Sequence, residues 1–327
     1  MALGRSGDER PLPHQRYLLV GLPRGGTTWI SRALAATPGL TCVEEPDNPA
    51  SDTYAIVALH RLGWLAAFSP VAGPPREYRL MWDVAFRGGW PTGSSRAPLI
   101  SRLRCTPPND RIPFGARRSL QVRAADLARR VPAEGPVLVK SVAVQLITEW
   151  LAATYKPRVV MVWRHPLNVL PTWLELKWDV AYLIAGRQPV IDRFSTTALW
   201  PPPAGSGLEP TIWALCAQEV ILLEAAARHP DWTLVSHEAT CLDPVGAIHE
   251  LVATLGLEWS DRIREVIEGA NTAGSGFIPH RVAADEPTRW RTRLTSEQAA
   301  TADRILRRFA DESLPAAAHW ANSPAMS

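Results

Sequence analysis

The chain has 327 residues, 46% of them hydrophobic and 20% charged, a composition able to bury a full core in one large α/β domain. A net charge of +3 argues against nucleic-acid or membrane binding through bulk electrostatics, while leaving room for a local basic site. Four scattered cysteines (Cys42, Cys105, Cys216, Cys241) form no Cys-x-x-Cys pair and have no histidine at ligand spacing, so no metal site is expected and a reduced, cytoplasmic setting fits.

Residues 1–15 are polar, lack the apolar run of a signal peptide and read as a flexible N-terminal tail. The run from Arg16 to Leu22 then predicts a short buried strand, followed by a Gly-rich turn and a helix that stops at Pro38-Gly39. Leu40 to Val43 predicts a second strand, closed by the turn residues EEPDNPAS. From about 68 to 117, proline and glycine crowd the chain, the pattern of a substrate-covering insertion. Gln121 to Val131 reads as a helix, the run after Pro136 as a strand, Leu146 to Tyr155 as a helix and Arg158 to Trp163 as a strand. A second Pro-rich break, within 179–210, precedes a helix from about Thr211 to Arg228. TLVSHEATCLDP reads as a strand and turn, and the C-terminal third as polar helices. Strands alternating with helices predict a three-layer α/β sandwich, a central parallel sheet flanked by helices. The expected organisation is a single domain over 16–315, with insertions at about 68–117 and 179–210, and a C-terminal tail over 316–327.

The most informative segment runs from Gly21 to Thr28 (GLPRGGTT), between a predicted strand and a predicted helix, where backbone N–H groups and the helix dipole favour an anion. Its spacing approaches a Walker A loop, but Thr27 stands at the lysine position, which argues against a nucleoside triphosphate. Arg24 places the positive charge earlier in the loop.

PRGGTTWISRAL resembles the 5'-phosphosulfate loop of sulfotransferases that use 3'-phosphoadenosine 5'-phosphosulfate (PAPS). The resemblance implies a P-loop-like fold and a 5'-phosphosulfate site made by Arg24, Gly25, Gly26, Thr27, Thr28 and Trp29, with Arg24 stabilising charge on the leaving oxygen. A second segment, RHPLNVLPT, resembles the family's 3'-phosphate motif and implies that Arg164 and Thr172 bind that phosphate. Pro171 beside Thr172 is unusual there and expected to kink the helix. LVSHEATCLDP resembles a further family element, in which Glu238 reads as structural. Arg289, Trp290 and Arg291 resemble a family element near the nucleotide, as an adenine stack and a 3'-phosphate pairing.

Sulfonate transfer to a hydroxyl needs a base and cations rather than a metal. TCVEEPDN resembles a branch of the family with a glutamate base, which implies Glu45 as general base and Glu44 as runner-up. Adjacent residues of an extended segment face opposite ways, so only one of the two points into the site. Lys140 ends a buried apolar run, where a lysine needs an anionic partner, and it matches a lysine common in the family, a resemblance that implies a contact with the sulfonate or its bridging oxygen. His165, beside Arg164, is expected to make a structural hydrogen bond. Fourteen tryptophans, several beside the irregular segments (Trp64, Trp82, Trp90, Trp173, Trp178, Trp200), suggest core packing and in part an apolar or sugar-binding pocket. The expected partner is a small lipophilic or glycosylated acceptor; the expected co-substrate is PAPS, leaving 3'-phosphoadenosine 5'-phosphate (PAP). The rival readings are a nucleotide-dependent kinase and a non-catalytic PAPS-binding protein.

Overall fold

A computed structural model describes residues 15–48, 55, 62–63, 65–68, 73–88, 133, 135–178, 181–273 and 281–326. Five strands form one parallel sheet: β1 (Arg16–Gly21), β2 (Thr41–Glu44), β3 (Val137–Ser141), β4 (Arg158–Trp163) and β5 (Thr233–Ser236), in the order β2-β3-β1-β4-β5. Strand β1 lies at the centre, pairing with β3 from Arg16↔Val137 and with β4 from Tyr17↔Arg158. Its residues from Tyr17 to Gly21 are all buried, as expected for a strand with both faces covered.

The period-2 alternation splits the sheet's side chains between two cores. Tyr17, Leu19, Leu138, Val160 and Val162 face one layer, with Ile30, Ala33 and Leu34 of helix α1 (Thr27–Ala35) and buried residues of two later helices, Pro244–Thr254 and Asp261–Ala270. Leu18, Val20, Val139 and Met161 face the other, built on helices Thr148–Tyr155, Pro166–Glu175 and Leu208–Arg228. The expected three-layer α/β sandwich is therefore the observed fold.

Local chemistry sets the helix starts. His165 accepts a hydrogen bond from the Leu167 N–H at 3.3 Å, and Pro166 fills the first helical position, where no N–H is needed. Asp243 caps the Gly246 N–H at 3.0 Å, again with proline next, and Thr295 with Gln298 forms a reciprocal capping box. Leu208–Arg228 is apolar and long enough to cross a membrane, but 78% of its apolar window is buried inside the fold, where it packs on the Pro166–Glu175 and Ser296–Glu312 helices.

Several details depart from the sequence reading. Arg76–Ala85, inside the expected insertion, is a helix with Tyr78, Met81 and Trp82 buried in the larger core. The segment after β5 is a helix, His237–Leu242, capped by Ser236, rather than a turn. The helix carrying Thr172 runs through Pro171 without a break. Leu314–Ala321 is helical, and Ala316, Trp320 and Ala325 are buried, so the C-terminal residues pack against the fold instead of trailing. Trp82 and Trp173 are core residues, and Trp178 and Trp200 pack against that core; Trp64, Trp90 and the helix expected at 121–131 lie outside the described residues.

Leu19 is fully buried at the centre of the sheet, so Leu19→Ala leaves a cavity that the helices cannot close. A loss of about 3 kcal/mol is expected, read as a lower denaturant midpoint at unchanged slope.

Candidate active site

The loop between β1 and α1 is built around two left-handed residues, Arg24 (φ 68°) and Gly26 (φ 88°). The first is costly for a residue with a side chain, the kind of local strain found where function requires it. Glycine is needed at 26 for a second reason, because a Cβ there would sit 2.0 Å from Cδ2 of His237. The turn closes through the Gly25 N–H to the Leu22 carbonyl at 2.9 Å. Three side chains then hold the loop from outside. Gln145 Nε2 donates to the Gly21 carbonyl at 3.1 Å, Trp173 Nε1 to the Pro23 carbonyl at 3.0 Å, and Arg164 Nη1 to the Arg24 carbonyl at 3.2 Å. With the carbonyls taken from behind, the Thr27 and Thr28 amides belong to the first turn of α1, where helical N–H groups have no acceptor within the helix.

On one side of the loop lies an ion pair. Lys140 is 1% exposed, and its ammonium donates to Thr28 Oγ1 at 3.1 Å and to Glu45 Oε1 in a short salt bridge. In β3, Lys140 projects to the α1 side, like Leu138 two residues earlier, which brings the charge to the start of that helix. Asn48 Nδ2 donates to the other Glu45 oxygen at 2.9 Å. Burial pushes the Glu45 carboxyl up, but the charge and hydrogen bond of Lys140, helped by Asn48, outweigh it and hold Glu45 below the usual carboxylate range. Glu44 turns the other way: it is exposed, and it accepts from Ser31 Oγ at 3.3 Å. Asp47, which sequence reasoning passed over, accepts from Ser141 Oγ at 2.7 Å, and burial pushes its carboxyl up to about 6. The signal for it was its place two residues beyond Glu45 in a Pro-containing turn, which a linear motif does not distinguish from a solvated aspartate.

On the other side lies an arginine cluster around one carboxylate. Arg164, 11% exposed, pairs through Nη2 with Glu286 Oε2 at 2.7 Å, and Arg289 Nη1 takes Glu286 Oε1. Burial, then the neighbouring Arg281, Arg164 and Arg293, hold the Arg24 guanidinium below its ordinary range. Burial also raises Glu286, but Arg164, Arg289 and His237 bring it down to about 2. Thr172 faces this cluster: its hydroxyl accepts from Arg293 Nη1 at 3.1 Å, and Arg293 also pairs with Glu175 at 2.7 Å. Glu286, Arg281 and Arg293 were not picked out from the sequence, because single charges in a polar C-terminal stretch look like a solvated surface.

The remaining candidates are divided. Trp290 donates through Nε1 to the Ala325 carbonyl at 3.0 Å, and Arg291 lies over the Trp290 ring at 5.1 Å and reaches the Met326 carbonyl, so both contact the C-terminal turn. Trp29 packs against the smaller core and meets His237 edge-on at 6.3 Å. His237 is buried against the loop, and burial together with Arg164 brings its imidazole down to about 3, so it is neutral. His165 is buried and also kept neutral, with burial lowering it to about 4. Behind the strand end, Glu238 accepts from the His165 N–H at 3.0 Å and from Asn168 Nδ2 at 2.8 Å, while Glu219 accepts from the Arg164 N–H at 3.3 Å.

No protein-family model and no curated protein sequence matches this chain. Solved structures do. The sulfotransferase domain from the curacin biosynthetic pathway superposes with a TM-score of 0.50 at 11% identity, covering 90% of this chain and 98% of that one. The sulfotransferase domain of a Synechococcus olefin synthase gives 0.48 at 13% identity, covering 93% and 98%. A mouse sulfotransferase complexed with PAP gives 0.43 at 10% identity, covering 93% and 87%. At these identities the likeness is one of fold, and it rests on the curacin-pathway domain. The chain has the fold of that sulfotransferase domain.

A carboxylate whose folded pKa lies below its unfolded value stabilises the protein above the unfolded pKa, and that contribution is lost as pH falls through the folded one. For Glu286 the window runs from about pH 5 down to about 2. Glu286→Gln is expected to lower stability by about 3 kcal/mol at pH 7, with the gap to wild type closing across that window in urea melts at stepped pH.

Proposed function

We propose that this chain is a PAPS-dependent sulfotransferase that moves a sulfonate to a hydroxyl of a small-molecule acceptor by in-line transfer with a carboxylate base. The observation that carries the reading is a clamped phosphate loop with a buried lysine–glutamate pair on one flank and an arginine cluster on the other. The residues fit a doubly anionic nucleotide on this chain's own evidence. The loop presents helix-start amides, and Arg164 Nε is buried without a hydrogen-bond partner, a donor suited to a phosphate oxygen.

When bound, PAPS supplies an activated sulfonate on a phosphate leaving group. The Thr27 and Thr28 amides, the Thr28 hydroxyl and Arg24 are assigned to the 5'-phosphosulfate. Lys140, already at Thr28, is placed to neutralise negative charge on the bridging oxygen as it leaves. Arg164, with Thr172 and Arg293, is assigned to the 3'-phosphate. Glu45 is the base: Lys140 keeps it ionised at neutral pH, and at 27% exposure it retains a side open to an approaching hydroxyl. Glu44 is assigned no proton, because its side chain is exposed and its contact is to Ser31 of α1. The acceptor class is a small lipophilic or glycosylated metabolite, and the working location is the cytoplasm.

Mixing the enzyme with PAPS and a panel of phenols, steroid alcohols and glycosides, with mass detection of PAP and sulfated product, tests this. One or more acceptors should be turned over, and Glu45→Gln should lower kcat by roughly 10²–10⁴ while PAP binding persists. A Glu45→Gln enzyme of unimpaired turnover removes Glu45 from the role of base. Absence of product across the panel, with ATP consumed in the presence of magnesium, returns the site to kinase chemistry.

A further inference from the structure

We propose that Glu286 is a resident carboxylate occupying the anion subsite of Arg164, which the 3'-phosphate of a bound nucleotide must displace. The inference rests on the reading of Arg164 as the 3'-phosphate ligand.

Glu286 is 6% exposed, yet it satisfies its two oxygens with guanidiniums from separate stretches of the chain: Arg164 at the end of β4 and Arg289 three residues beyond Glu286 itself. Arg24 and Arg281 lie near the same point: burial, and then neighbouring guanidiniums that include Arg164 and Arg293, lower both. Two guanidiniums, Arg164 and Arg289, bind Glu286 directly and those of Arg24 and Arg281 lie within range of its charge, a basic setting suited to a ligand bringing more than one negative charge. Arg164 itself is incompletely used. Nη2 reaches Glu286 and Nη1 the Arg24 carbonyl, while Nε is buried without a hydrogen-bond partner. A carboxylate offers two oxygens, and here they go to two different arginines. A phosphate monoester offers three acceptor oxygens and, at neutral pH, close to two charges.

The exchange needs only the Glu286 side chain to turn. Its backbone is fixed on both sides: the Glu286 N–H bonds the Ala283 carbonyl at 3.1 Å, Asn168 Nδ2 donates to the Pro287 carbonyl at 2.8 Å, and the Trp290 N–H bonds Asn168 Oδ1 at 3.3 Å. Replacing one negative charge by one gains nothing electrostatically; replacing it by a phosphate dianion gains a charge. A nucleotide with only a 5'-phosphate has no group for this subsite and leaves Glu286 where it is. The carboxylate thereby raises the threshold for occupying Arg164 and keeps the buried guanidinium paired between turnovers.

The test is calorimetric titration of PAP and of 5'-AMP into wild type, Glu286→Gln and Glu286→Ala, each with a thermal melt. Removing the competitor should tighten PAP by roughly tenfold, if the occupied subsite is about a tenth open in wild type. The affinity for 5'-AMP should stay within about twofold, and the melting temperature without nucleotide should fall. A simple structural role lowers both melting temperature and affinity, so PAP binding that weakens or stays level in both variants overturns the proposal. An equal gain for PAP and 5'-AMP also overturns it, because that is general electrostatics and not occupancy. Failure of the parent reading looks different: neither wild type nor the variants bind PAP, and both ideas fall together. Glu286→Gln is close to isosteric, and its melt establishes that the protein is folded.

Discussion

Everything in this site depends on how the chain between β1 and α1 is held. Three side chains, from three different stretches of sequence, donate hydrogen bonds to the carbonyls of Gly21, Pro23 and Arg24. Taking those oxygens from behind fixes two left-handed residues in a conformation that Arg24 would not adopt freely. It also leaves the amide ends of the first helical turn as the loop's open face. One of the three clamps is Arg164 itself, so the residue assigned to the far phosphate is mechanically part of the near one. A bisphosphorylated nucleotide bridging the loop and the β4 end would therefore engage a single connected unit.

The second organising constraint is the cost of burying charge. Lys140 and Arg164 are the two cations most withdrawn from water in the site, and each carries a carboxylate partner, Glu45 and Glu286. A buried cation without such a partner would lose several kcal/mol of solvation. The same pairing gives each carboxylate its chemistry. Glu45 stays ionised and partly open, which suits a base. Glu286 is deeply ionised and enclosed, which suits a placeholder. Behind them, His165 and the buried Glu219 and Glu238 accept backbone N–H groups at the end of β4, and the neutral His237 is buried against the loop.

How much of this was legible in the sequence follows from where the information is local. The strands of the sheet read clearly because buried parallel strands are continuous apolar runs, and the loop read clearly because strand, glycines and helix start are consecutive. Arg164 and Thr172 were visible for the same reason, as one short segment at a strand end. Glu286, Arg281 and Arg293 were not, because their meaning comes from convergence with residues more than a hundred positions earlier. The choice between Glu44 and Glu45 needed the side-chain direction at the end of β2. The tryptophans near the irregular segments read mainly as packing, and Trp82 and Trp173 are core; Trp290, read as a nucleotide residue, anchors the C-terminal turn through the Ala325 carbonyl. The Arg76–Ala85 helix was missed because glycine and proline on both sides masked its amphipathic face.

The central claim is that the loop and the arginine cluster together bind one nucleotide with phosphates at both its 3' and 5' positions, without a metal ion. Calorimetric titration of PAP into wild type and Arg164→Ala in a chelating buffer tests it most directly. The account predicts micromolar binding to wild type and a loss of about 2–5 kcal/mol in Arg164→Ala, since the variant removes both a phosphate ligand and a loop clamp. Equal binding by the two proteins, or binding that appears only with magnesium and a nucleoside triphosphate, would contradict it.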